Sequence, residues 1–389
     1  MRVLNVIDTI DPAIGGTATS VLQAASLLEE RGHDVEIAVM MDRPGDPWIG
    51  ASGAHVRCFG PARLRYGYAP SYRHWLRDHA SSYDLVVIRG LWQYQGIATA
   101  SEMWRQRRPY AIFIHGMLGP YARSQPLKYL KKFAYWAALE SRVVSRAVAA
   151  VFTSEEEERL ARDFFPRARW NPVVIGNSVD PPPRASAGEV EGLFARFPEL
   201  RGRKVVLYLG RLLRIKGCDQ LIAAFAQAFA GDENMRLVLA GPAVDSRYER
   251  ELRRVAQESG VADRITWTGL VTGADRSALF SIASVYVSPS HHENFGFSAV
   301  EAIAFGLPVI VTNKVNIHGL LERAGAALVC PDTAVGIAAA LRRWHALDAT
   351  ALDALRGRQL EVWRQSFSRE QVGERLEGMF GRFAEMQPA

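Results

Sequence analysis

Short apolar runs alternate with helical stretches along most of this chain of 389 residues, and that alternation constrains its fold more than any other feature. Continuously apolar strands that alternate with helices are typical of parallel sheets covered on both faces. The runs form two series, and three consecutive prolines at 181–183 stand between them, where neither a sheet nor a helix can continue. We therefore predict an α/β protein of two doubly wound domains.

The apolar runs predict strands at similar intervals in both series. In the first series they are Arg2–Ile7, Val35–Met40, Leu85–Ile88, Ala111–Ile114, Val148–Phe152 and Val173–Ile175. In the second series they are Val205–Leu209, Leu237–Ala240, Ile265–Thr268, Val285–Val287, Val309–Val311 and Ala327–Val329. These elements predict a first domain over 1–180, a linker over 181–203 and a second domain over 204–366. The remainder, 367–389, predicts a closing helix with Val372, Leu376, Met379, Phe380 and Phe383 on one face.

Composition excludes several classes of protein. Hydrophobic residues make up 48% of the chain and charged residues 23%, as in ordinary globular domains. No apolar run approaches the ~20 residues of a membrane-spanning helix, and the first one ends at Asp8, too early for a signal peptide. The three cysteines lie far apart and predict neither a disulfide framework nor a zinc cluster, so a cytoplasmic location is expected.

Cations follow the first strand of the second series. That strand ends at Gly210, and Arg211 and Lys216 come within the next six residues. Arginine offers a fork of donors and lysine a point charge, a combination that suits a diphosphate. The alternative is a solvated basic loop, but ligands of open α/β sheets bind at the carboxyl ends of strands, which favours a phosphate site.

Two glutamates follow the fourth strand of the second series. Glu293 falls in a polar loop and Glu301 in the helix that starts near Ser298, so both carboxylates could bind sugar hydroxyls. The backbone N–H groups around Phe295 and Gly296 would face the same edge. His291 and His292 are adjacent in this loop, but neighbouring side chains in an extended loop point apart. The chain also has no Asp-x-Asp pair, so we predict no metal site.

The first series has its own candidates at strand ends. Gly15 and Gly16 open a helix, whose N-terminus would attract an anion, although taken alone these glycines favour an ordinary turn. His115 lies just past a strand and before a glycine-rich loop, and either a structural or a functional role fits this position. Ser154 and Glu157 fit a capping box at the start of a helix.

Positive charge is concentrated in one segment of the first domain. Residues 57–146 carry 15 lysines and arginines against four acids. Within it, a helix around 127–137 would place Leu127, Leu130, Phe133, Ala134 and Ala137 on one face. That face could lie in the interface of an anionic membrane, or it could pack on its own sheet. The segment matches no nucleic-acid-binding module, and no such partner is expected.

These motifs, taken in order, resemble family 4 glycosyltransferases with the GT-B fold. The resemblance is carried by Gly15-Gly16, His115-Gly116, Gly176-Asn177-Ser178-Val179-Asp180, Arg211-x4-Lys216 and Glu293-x7-Glu301 within Glu-Asn-Phe-Gly. It implies two Rossmann-like domains facing across a cleft, with the closing helix crossing back to pack on the first domain. It also implies retaining transfer of a sugar from a nucleotide-sugar, without an essential metal or cofactor.

In the second domain, the resemblance implies a role for each matching residue. Arg211 and Lys216 would bind the donor's diphosphate, and Glu301 would hold its ribose hydroxyls. Glu293 would hold the donor sugar together with the Phe295 and Gly296 amides, and Asn294 belongs to the same donor-binding motif.

In the first domain, the resemblance implies that Gly15 and Gly16 lie against the diphosphate and that His115 sits near the reacting carbon. Arg211, Lys216, Glu293 and His115 would together form the catalytic set. The chain departs from the family at two places: Thr312–His318 stands where a Gly-Gly pair is common, and Arg89 where a histidine is often found.

The function predicted from this resemblance is transfer of a hexose-type sugar to a hydroxyl of a glycan or lipid-linked acceptor in cell-surface polysaccharide synthesis. The enzyme could lie peripherally on the inner face of the membrane. The alternatives on the same fold are a nucleotide-sugar epimerase, a phosphorylase and a non-catalytic protein that binds sugar nucleotides.

Overall fold

The structure, a computed structural model, describes residues 1–62, 64, 66–119 and 126–384, without the side chains of 126–129 and 382–384. The chain divides into two compact units. The first unit comprises Met1–Ser178 together with Arg369–Ala389, and the second comprises Val179–Ser368. Each unit contains one parallel sheet with helices on its faces.

The first unit is built on a sheet of seven parallel strands in the order β3-β2-β1-β4-β5-β6-β7. The strands are β1 (Arg2–Ile7), β2 (Asp34–Val39), β3 (His55–Cys58), β4 (Leu85–Arg89), β5 (Tyr110–Phe113), β6 (Ala149–Phe152) and β7 (Pro172–Val174). The helices are α1 (Gly16–Glu29), α2 (Pro47–Ala51), α3 (Pro70–His79), α4 (Tyr94–Gln106), α5 (Pro126–Tyr135), α6 (Ser141–Ser145) and α7 (Glu155–Phe164). A π-helical turn, Trp136–Glu140, connects α5 to α6. β3 was not among the predicted strands, because this short edge strand has no continuous apolar run.

The closing helix, α16 (Arg369–Ala384), belongs to the first unit and packs on α1. Four of its predicted apolar positions are buried, namely Val372, Leu376, Met379 and Phe380. The side chain of the fifth, Phe383, lies outside the described residues. The guanidinium of Arg369 donates to Glu30 Oε1 at 2.5 Å and to Ser26 Oγ at 3.1 Å, which fixes the start of the helix against α1.

The second unit is built on a sheet of six parallel strands in the order β10-β9-β8-β11-β12-β13. The strands are β8 (Lys204–Leu209), β9 (Met235–Ala240), β10 (Ile265–Gly269), β11 (Ala283–Ser288), β12 (Val309–Thr312) and β13 (Leu328–Cys330). The helices are α8 (Ala187–Arg196), α9 (Cys218–Ala228), α10 (Ser246–Glu258), α11 (Gly273–Ile282), α12 (Phe297–Phe305), α13 (His318–Arg323), α14 (Ala334–His345) and α15 (Ala349–Ser366). Among the described residues of both units, no helix combines the length and the apolarity needed to cross a membrane.

The structure differs from the prediction that residues 181–203 form a linker. Helix α8 occupies the middle of that range and begins with a capping box, in which Ser186 and Glu189 exchange hydrogen bonds. Leu193 and Leu200 are buried in the core of the second unit. The linker was predicted from the three prolines, although the Ser-x-x-Glu pattern that follows them marks a helix start. The segment therefore belongs to the second unit from α8 onward.

Both sheets have the same strand order over their first six strands, and in both the order reverses beside the first strand. In the first unit the reversal lies between β1 and β4, and in the second between β8 and β11. The loops that leave the carboxyl ends of such a pair diverge to opposite faces and leave a crevice, where ligands of open α/β sheets bind. The Gly15-Gly16, His115, Arg211–Lys216 and Glu293 motifs follow these strands or their neighbours, whereas the Gly176–Asp180 motif follows the edge strand β7.

Candidate active site

The loops after β8 and β11 meet at the reversal point of the second sheet. Gly217 closes a 3-10 turn with φ +67°, and a Cβ there would lie 2.2 Å from the carbonyl oxygen of Pro289. The backbone N–H of His291 donates to the carbonyl oxygen of Ile215 at 2.9 Å. Because only glycine permits this approach, the turn that carries Lys216 is held against the second loop.

Lys216 and Glu293, predicted to serve the same substrate, form an ion pair in the second unit. The ammonium of Lys216 donates to Oε2 of Glu293, and the two side chains are 20% and 23% exposed. Charge-assisted hydrogen bonds are stronger than neutral ones, and this partial burial reduces their screening by salt. A cation and a carboxylate are therefore held together at the sheet's carboxyl edge.

The segment after β12 holds the loop that carries Glu293. The backbone N–H of Glu293 donates to the carbonyl oxygen of Lys314 at 3.0 Å, and the N–H of Asn316 donates to the carbonyl oxygen of Glu293 at 2.9 Å. Thr312 Oγ1 also donates to the carbonyl oxygen of Ser290 at 2.5 Å. This segment was noted in the sequence only as a departure from the family's Gly-Gly pattern. Here it positions a predicted site residue through the backbone.

The rest of the Glu-Asn-Phe-Gly motif is also fixed. The side-chain oxygen of Asn294 accepts from Asn316 Nδ2 at 3.1 Å. Phe295 is buried, with its ring edge-on to that of Phe367. Gly296 has φ +83° and immediately precedes α12. A helix N-terminus directs backbone N–H groups outward and favours electron-rich ligands.

Glu301 lies in α12, and its carboxylate pairs with the guanidinium of Arg276 in α11. Burial raises the pKa of Glu301, and the charge of Arg276 opposes that rise. Burial also raises the pKa of Tyr286, with further contributions from the charges of Glu293 and Glu301. Both carboxylates therefore lie near this tyrosine. Nothing in the sequence of α11, the preceding helix, marks Arg276 as the partner of Glu301.

The other cations after β8 differ in their surroundings. Arg214 is bound by Glu251, whose Oε1 accepts from Nη1 at 2.8 Å, so this arginine is held on the surface of α10. Arg211 is exposed, and its carbonyl oxygen accepts from the hydroxyl of Tyr208 at 2.9 Å. Gly241 follows β9 with φ +145°, and a Cβ there would lie 2.0 Å from the carbonyl oxygen of Gly210. The Arg211 backbone is thus fixed at the sheet edge.

The adjacent histidines of the loop do not act as a pair. Nδ1 of His291 lies 2.9 Å from Oδ2 of Asp332. Burial lowers the pKa of His292, although the charge of Glu293 opposes this. Within the described part of the chain, no three histidine, cysteine, aspartate or glutamate side chains gather in a way that could hold a metal ion.

In the first unit, Gly15 and Gly16 lie where β1 passes into α1. Gly15 has φ +94° and ψ −137°, a conformation that favours glycine, and α1 begins at the next residue. Ser20 of α1 donates to the side-chain oxygen of Asn177 at 2.5 Å, which links this helix to the Gly176–Asp180 motif. The turn is therefore specified by glycine and anchored to a second predicted motif.

His115 follows β5 in a strained, partly buried position. Its φ is +50°, and its ring stacks on that of Phe113 at 5.6 Å between centroids. Burial, assisted by the positive charge of Arg89, lowers the pKa of His115 to about 3. The imidazole is therefore neutral, and its buried Nε2 has no hydrogen-bond partner among the residues that the structure describes. Strain and an unpaired polar atom are costly, and both are found preferentially at functional sites.

Glu157 fixes the turn that carries His115, a role that sequence analysis missed. Ser154 does cap α7 by accepting from the Glu157 N–H at 3.1 Å. The Glu157 carboxylate, however, accepts from the N–H of Gly116 at 2.5 Å and from the N–H and hydroxyl of Thr153 at 2.7 and 2.6 Å. The predicted capping box is therefore only half formed, because a loop from another strand supplies donors.

Arg89, at the end of β4, is fully buried. Its Nε donates to the Asn5 side-chain oxygen at 2.9 Å, its guanidinium lies 3.8 Å from the centre of the Phe113 ring, and burial lowers its pKa to about 9. The departure from the family's histidine thus places a cation behind the ring on which His115 stacks.

Comparison with known protein families gives one match in each of the two units. A family model for a glycosyl transferase 4-like domain matches residues 15–178, and a model for glycosyl transferases group 1 matches residues 191–354. A GDP-mannose:cellobiosyl-diphosphopolyprenol alpha-mannosyltransferase of Xanthomonas oryzae pv. oryzae is 29% identical over 335 residues, covering 85% of this chain and 83% of that protein. An alpha-monoglucosyldiacylglycerol synthase of Streptococcus pneumoniae is 22% identical, covering 83% of this chain and 73% of that protein.

Solved structures show the same architecture. The Anabaena protein HepE in complex with UDP aligns with a TM-score of 0.81 at 20% identity, over 98% of this chain and 100% of that chain. WaaG, a glycosyltransferase involved in lipopolysaccharide biosynthesis, aligns with a TM-score of 0.70 at 17% identity, over 97% and 100% of the two chains. At these identities the likeness concerns the fold alone, which is GT-B, and the two family models together match most of the sequence. The chain therefore belongs to the group 1 glycosyltransferases.

Proposed function

We propose that this chain is a retaining glycosyltransferase that moves a hexose from a nucleoside-diphosphate sugar to a hydroxyl of a lipid-linked glycan. The observation that carries the proposal is the Lys216–Glu293 pair at the reversal point of the second sheet. A cation and a carboxylate held in one place match the two ends of such a donor, a diphosphate and a sugar with several hydroxyls.

In this proposal, donor binding breaks the Lys216–Glu293 ion pair, and the Lys216 ammonium pairs with the donor's diphosphate instead. Negative charge grows on the diphosphate as its bond to the sugar breaks, and a fixed cation stabilises that charge more in the transition state than before it. The released Glu293 carboxylate then accepts hydrogen bonds from sugar hydroxyls. Arg211 adds a second cation, and Glu301, steadied by Arg276, accepts from the ribose.

The first unit contributes a neutral histidine and a helix start. A neutral imidazole can hydrogen-bond a sugar hydroxyl without placing positive charge beside a sugar carbon that itself becomes positive during transfer. The unpaired Nε2 of His115 and its lowered pKa support this role. Gly15 and Gly16 would offer backbone N–H groups to the diphosphate at the start of α1.

Names of relatives guide the choice of substrates. Two Xanthomonas enzymes, 29% and 28% identical to this chain, are named for GDP-mannose and a cellobiosyl-diphosphopolyprenol. GDP-mannose is therefore the first donor to test, and a glycan on a diphosphate lipid the first acceptor. We propose that the reaction needs no metal and no cofactor, since cationic side chains and helix N-termini can neutralise the diphosphate.

The experiment is a donor panel. GDP-, UDP- and ADP-sugars are incubated with the protein, with and without a cellobiosyl diphospholipid, and nucleoside diphosphate release is measured. We expect one donor to give acceptor-stimulated release and a product whose anomeric configuration, read by NMR, matches that of the donor. Interconversion of nucleotide-sugars without release would instead indicate an epimerase. Binding without any release would indicate a non-catalytic protein.

A further inference from the structure

The loop after β4 in the first unit contains a strained residue that the proposed mechanism does not use. Trp92 has φ +70°, a left-handed conformation that is costly for a bulky side chain. The Gly90 N–H donates to the carbonyl oxygen of Phe113 at 2.9 Å, and Nε1 of Trp92 donates to that of Met117 at 3.3 Å. These bonds hold the loop against β5 and the turn that carries His115. Backbone strain of this kind is found preferentially at functional sites.

The strained loop places Gln93 at the reversal point of the first sheet. Asp8 follows β1 and Gln93 follows the loop after β4, and the order of the sheet reverses between these two strands. Nε2 of Gln93 donates to Oδ2 of Asp8 at 3.3 Å, which joins the two loops. Ligands of open α/β sheets bind at such a point. An amide and a carboxylate are therefore placed where a ligand of the first unit is expected.

Two amide oxygens converge beside Gly67. Oε1 of Gln93 and Oε1 of Gln95 are buried, and neither has a hydrogen-bond partner among the described residues. A Cβ on Gly67 would lie 3.4 Å from the first oxygen and 3.7 Å from the second, which are ordinary contact distances. The space between the two oxygens therefore has room for one further atom. A hydroxyl oxygen there would give its proton to an acceptor that otherwise lacks a donor.

Tyrosine rings lie beside this point. Tyr66 and Tyr68 flank Gly67 in the sequence, and both rings are edge-on to that of Tyr94, with 6.2 and 4.9 Å between ring centres. The backbone N–H of Tyr94 donates to the carbonyl oxygen of Tyr66 at 2.9 Å, which fixes the turn against the start of α4. Tyr68 is 42% exposed. An exposed aromatic ring beside polar acceptors offers a surface on which the C–H face of a sugar can pack.

We infer that Asp8, Gln93 and Gln95, with the ring of Tyr68, bind the acceptor sugar that receives the transferred hexose. This inference rests on the proposed function for its role. Hydroxyl groups of a neutral sugar can donate to the oxygens of all three polar side chains. A carboxylate or phosphate has no such proton and would be repelled by the charge of Asp8. The ligand class is therefore a neutral pyranose, and the subsite selects against an acidic sugar.

Three substitutions test the subsite. Gln95→Met removes an oxygen that has no partner among the described residues, so the melting temperature should stay the same or rise. Gln23→Met is the matched control, because Gln23 of α1 likewise has a buried Oε1 without a partner in the described part of the chain. Asp8→Asn keeps the shape of the side chain and removes its charge.

The readout is a ligand-detected NMR titration with octyl β-glucoside and octyl β-glucuronide, below their micelle concentrations and without donor sugar. The alkyl chain is common to both, so a difference in Kd reports the sugar. We expect wild type and Gln23→Met to bind the glucoside about tenfold or more tighter than the glucuronide. Gln95→Met should bind the glucoside roughly fivefold to tenfold more weakly than wild type. Asp8→Asn should reduce the preference for the neutral sugar to about threefold or less.

Several results would overturn the inference. They are equal glucoside binding by Gln95→Met and wild type, an equal loss in Gln23→Met, no binding of either glycoside by wild type, and glucuronide binding as tight as that of the glucoside. A lower melting temperature of Gln95→Met with unchanged glucoside binding would show that a buried water serves this oxygen, and it would also overturn the inference.

Transfer assays separate a binding role from a structural one. Gln95→Met should raise the KM for the acceptor and leave the Kd of the nucleoside diphosphate unchanged, a split that general damage to the fold would not produce. Because glycoside binding is measured without donor, failure of the proposed transferase activity would leave the result on this subsite readable.

Discussion

Replacing Lys216 by methionine tests the proposed diphosphate site most directly. Methionine keeps most of the apolar stem and removes only the ammonium that donates to Glu293. The turn should keep its shape, because the Gly217 conformation and the His291–Ile215 hydrogen bond hold it independently of the side chain. The change is therefore electrostatic and local.

The expected loss is larger in catalysis than in folding. Removing one preorganised donor from a developing negative charge costs about 3–4 kcal/mol, which corresponds to a fall in kcat/KM of about 10²–10³-fold. The Lys216–Glu293 pair is only about four-fifths buried, and ion pairs with access to solvent contribute about 1 kcal/mol or less to stability. We therefore expect kcat/KM to fall by that factor while the melting temperature changes by only a few degrees.

The assay measures nucleoside diphosphate release from the preferred donor and, separately, the Kd of the free nucleoside diphosphate. Lys204→Met is the matched control, because Lys204 is exposed and begins β8 at the opposite end of the strand. Lys216→Arg should retain part of the activity, since it keeps a cation. A kcat/KM of Lys216→Met within threefold of wild type, or an equal loss in Lys204→Met, would contradict the diphosphate role of Lys216.

Four further outcomes are expected. His115→Asn should lower the rate of transfer about a hundredfold while nucleotide binding and the melting temperature stay normal. The pH profile of the wild-type rate should show no inflection near pH 6.5, because the pKa of His115 is about 3. Normal transfer by the variant would remove His115 from the site. Glu157→Gln replaces the charged acceptor of the Gly116 N–H with a neutral one. The free energy of unfolding, measured in urea, should fall by about 1–3 kcal/mol, and part of the activity should be lost. Unchanged stability would contradict the contact. Burial raises the pKa of Glu140 from 4.5 to about 7. Between these values the folded state holds a proton that the unfolded chain loses, so the stability of the wild type falls as pH rises. Glu140→Gln should therefore be more stable than wild type by about 3 kcal/mol at pH 8 and by little at pH 4.5, and an equal difference at both pH values would refute this. Turnover should survive EDTA within about twofold, and a complete loss restored by Mn²⁺ or Mg²⁺ would show that a metal is required.

Local patterns in the sequence were enough to predict most of the strands and helices. Continuous apolar runs predicted nearly all the strands, because a strand buried on both faces has few polar positions. The prediction missed β3, which is partly exposed at the sheet edge, and it assigned α8 to a linker although Ser186 and Glu189 mark a helix start. The order of the glycine, cation and carboxylate motifs predicted the family, because each motif sits at a strand end that any such sheet brings to one edge.

Which side chains meet depends on the folding of distant segments together. Arg276 pairs with Glu301, and Glu157 holds Gly116, across sequence separations that no periodic pattern spans. The rotation of α5 is the clearest case: its spacing defines an apolar face, but spacing does not say what that face meets. Trp136 stacks on Phe165 and Lys132 lies over Trp92, and in this orientation Leu130 and Phe133 are 63% and 49% exposed. Side-chain periodicity is local, whereas packing partners are supplied by distant parts of the chain.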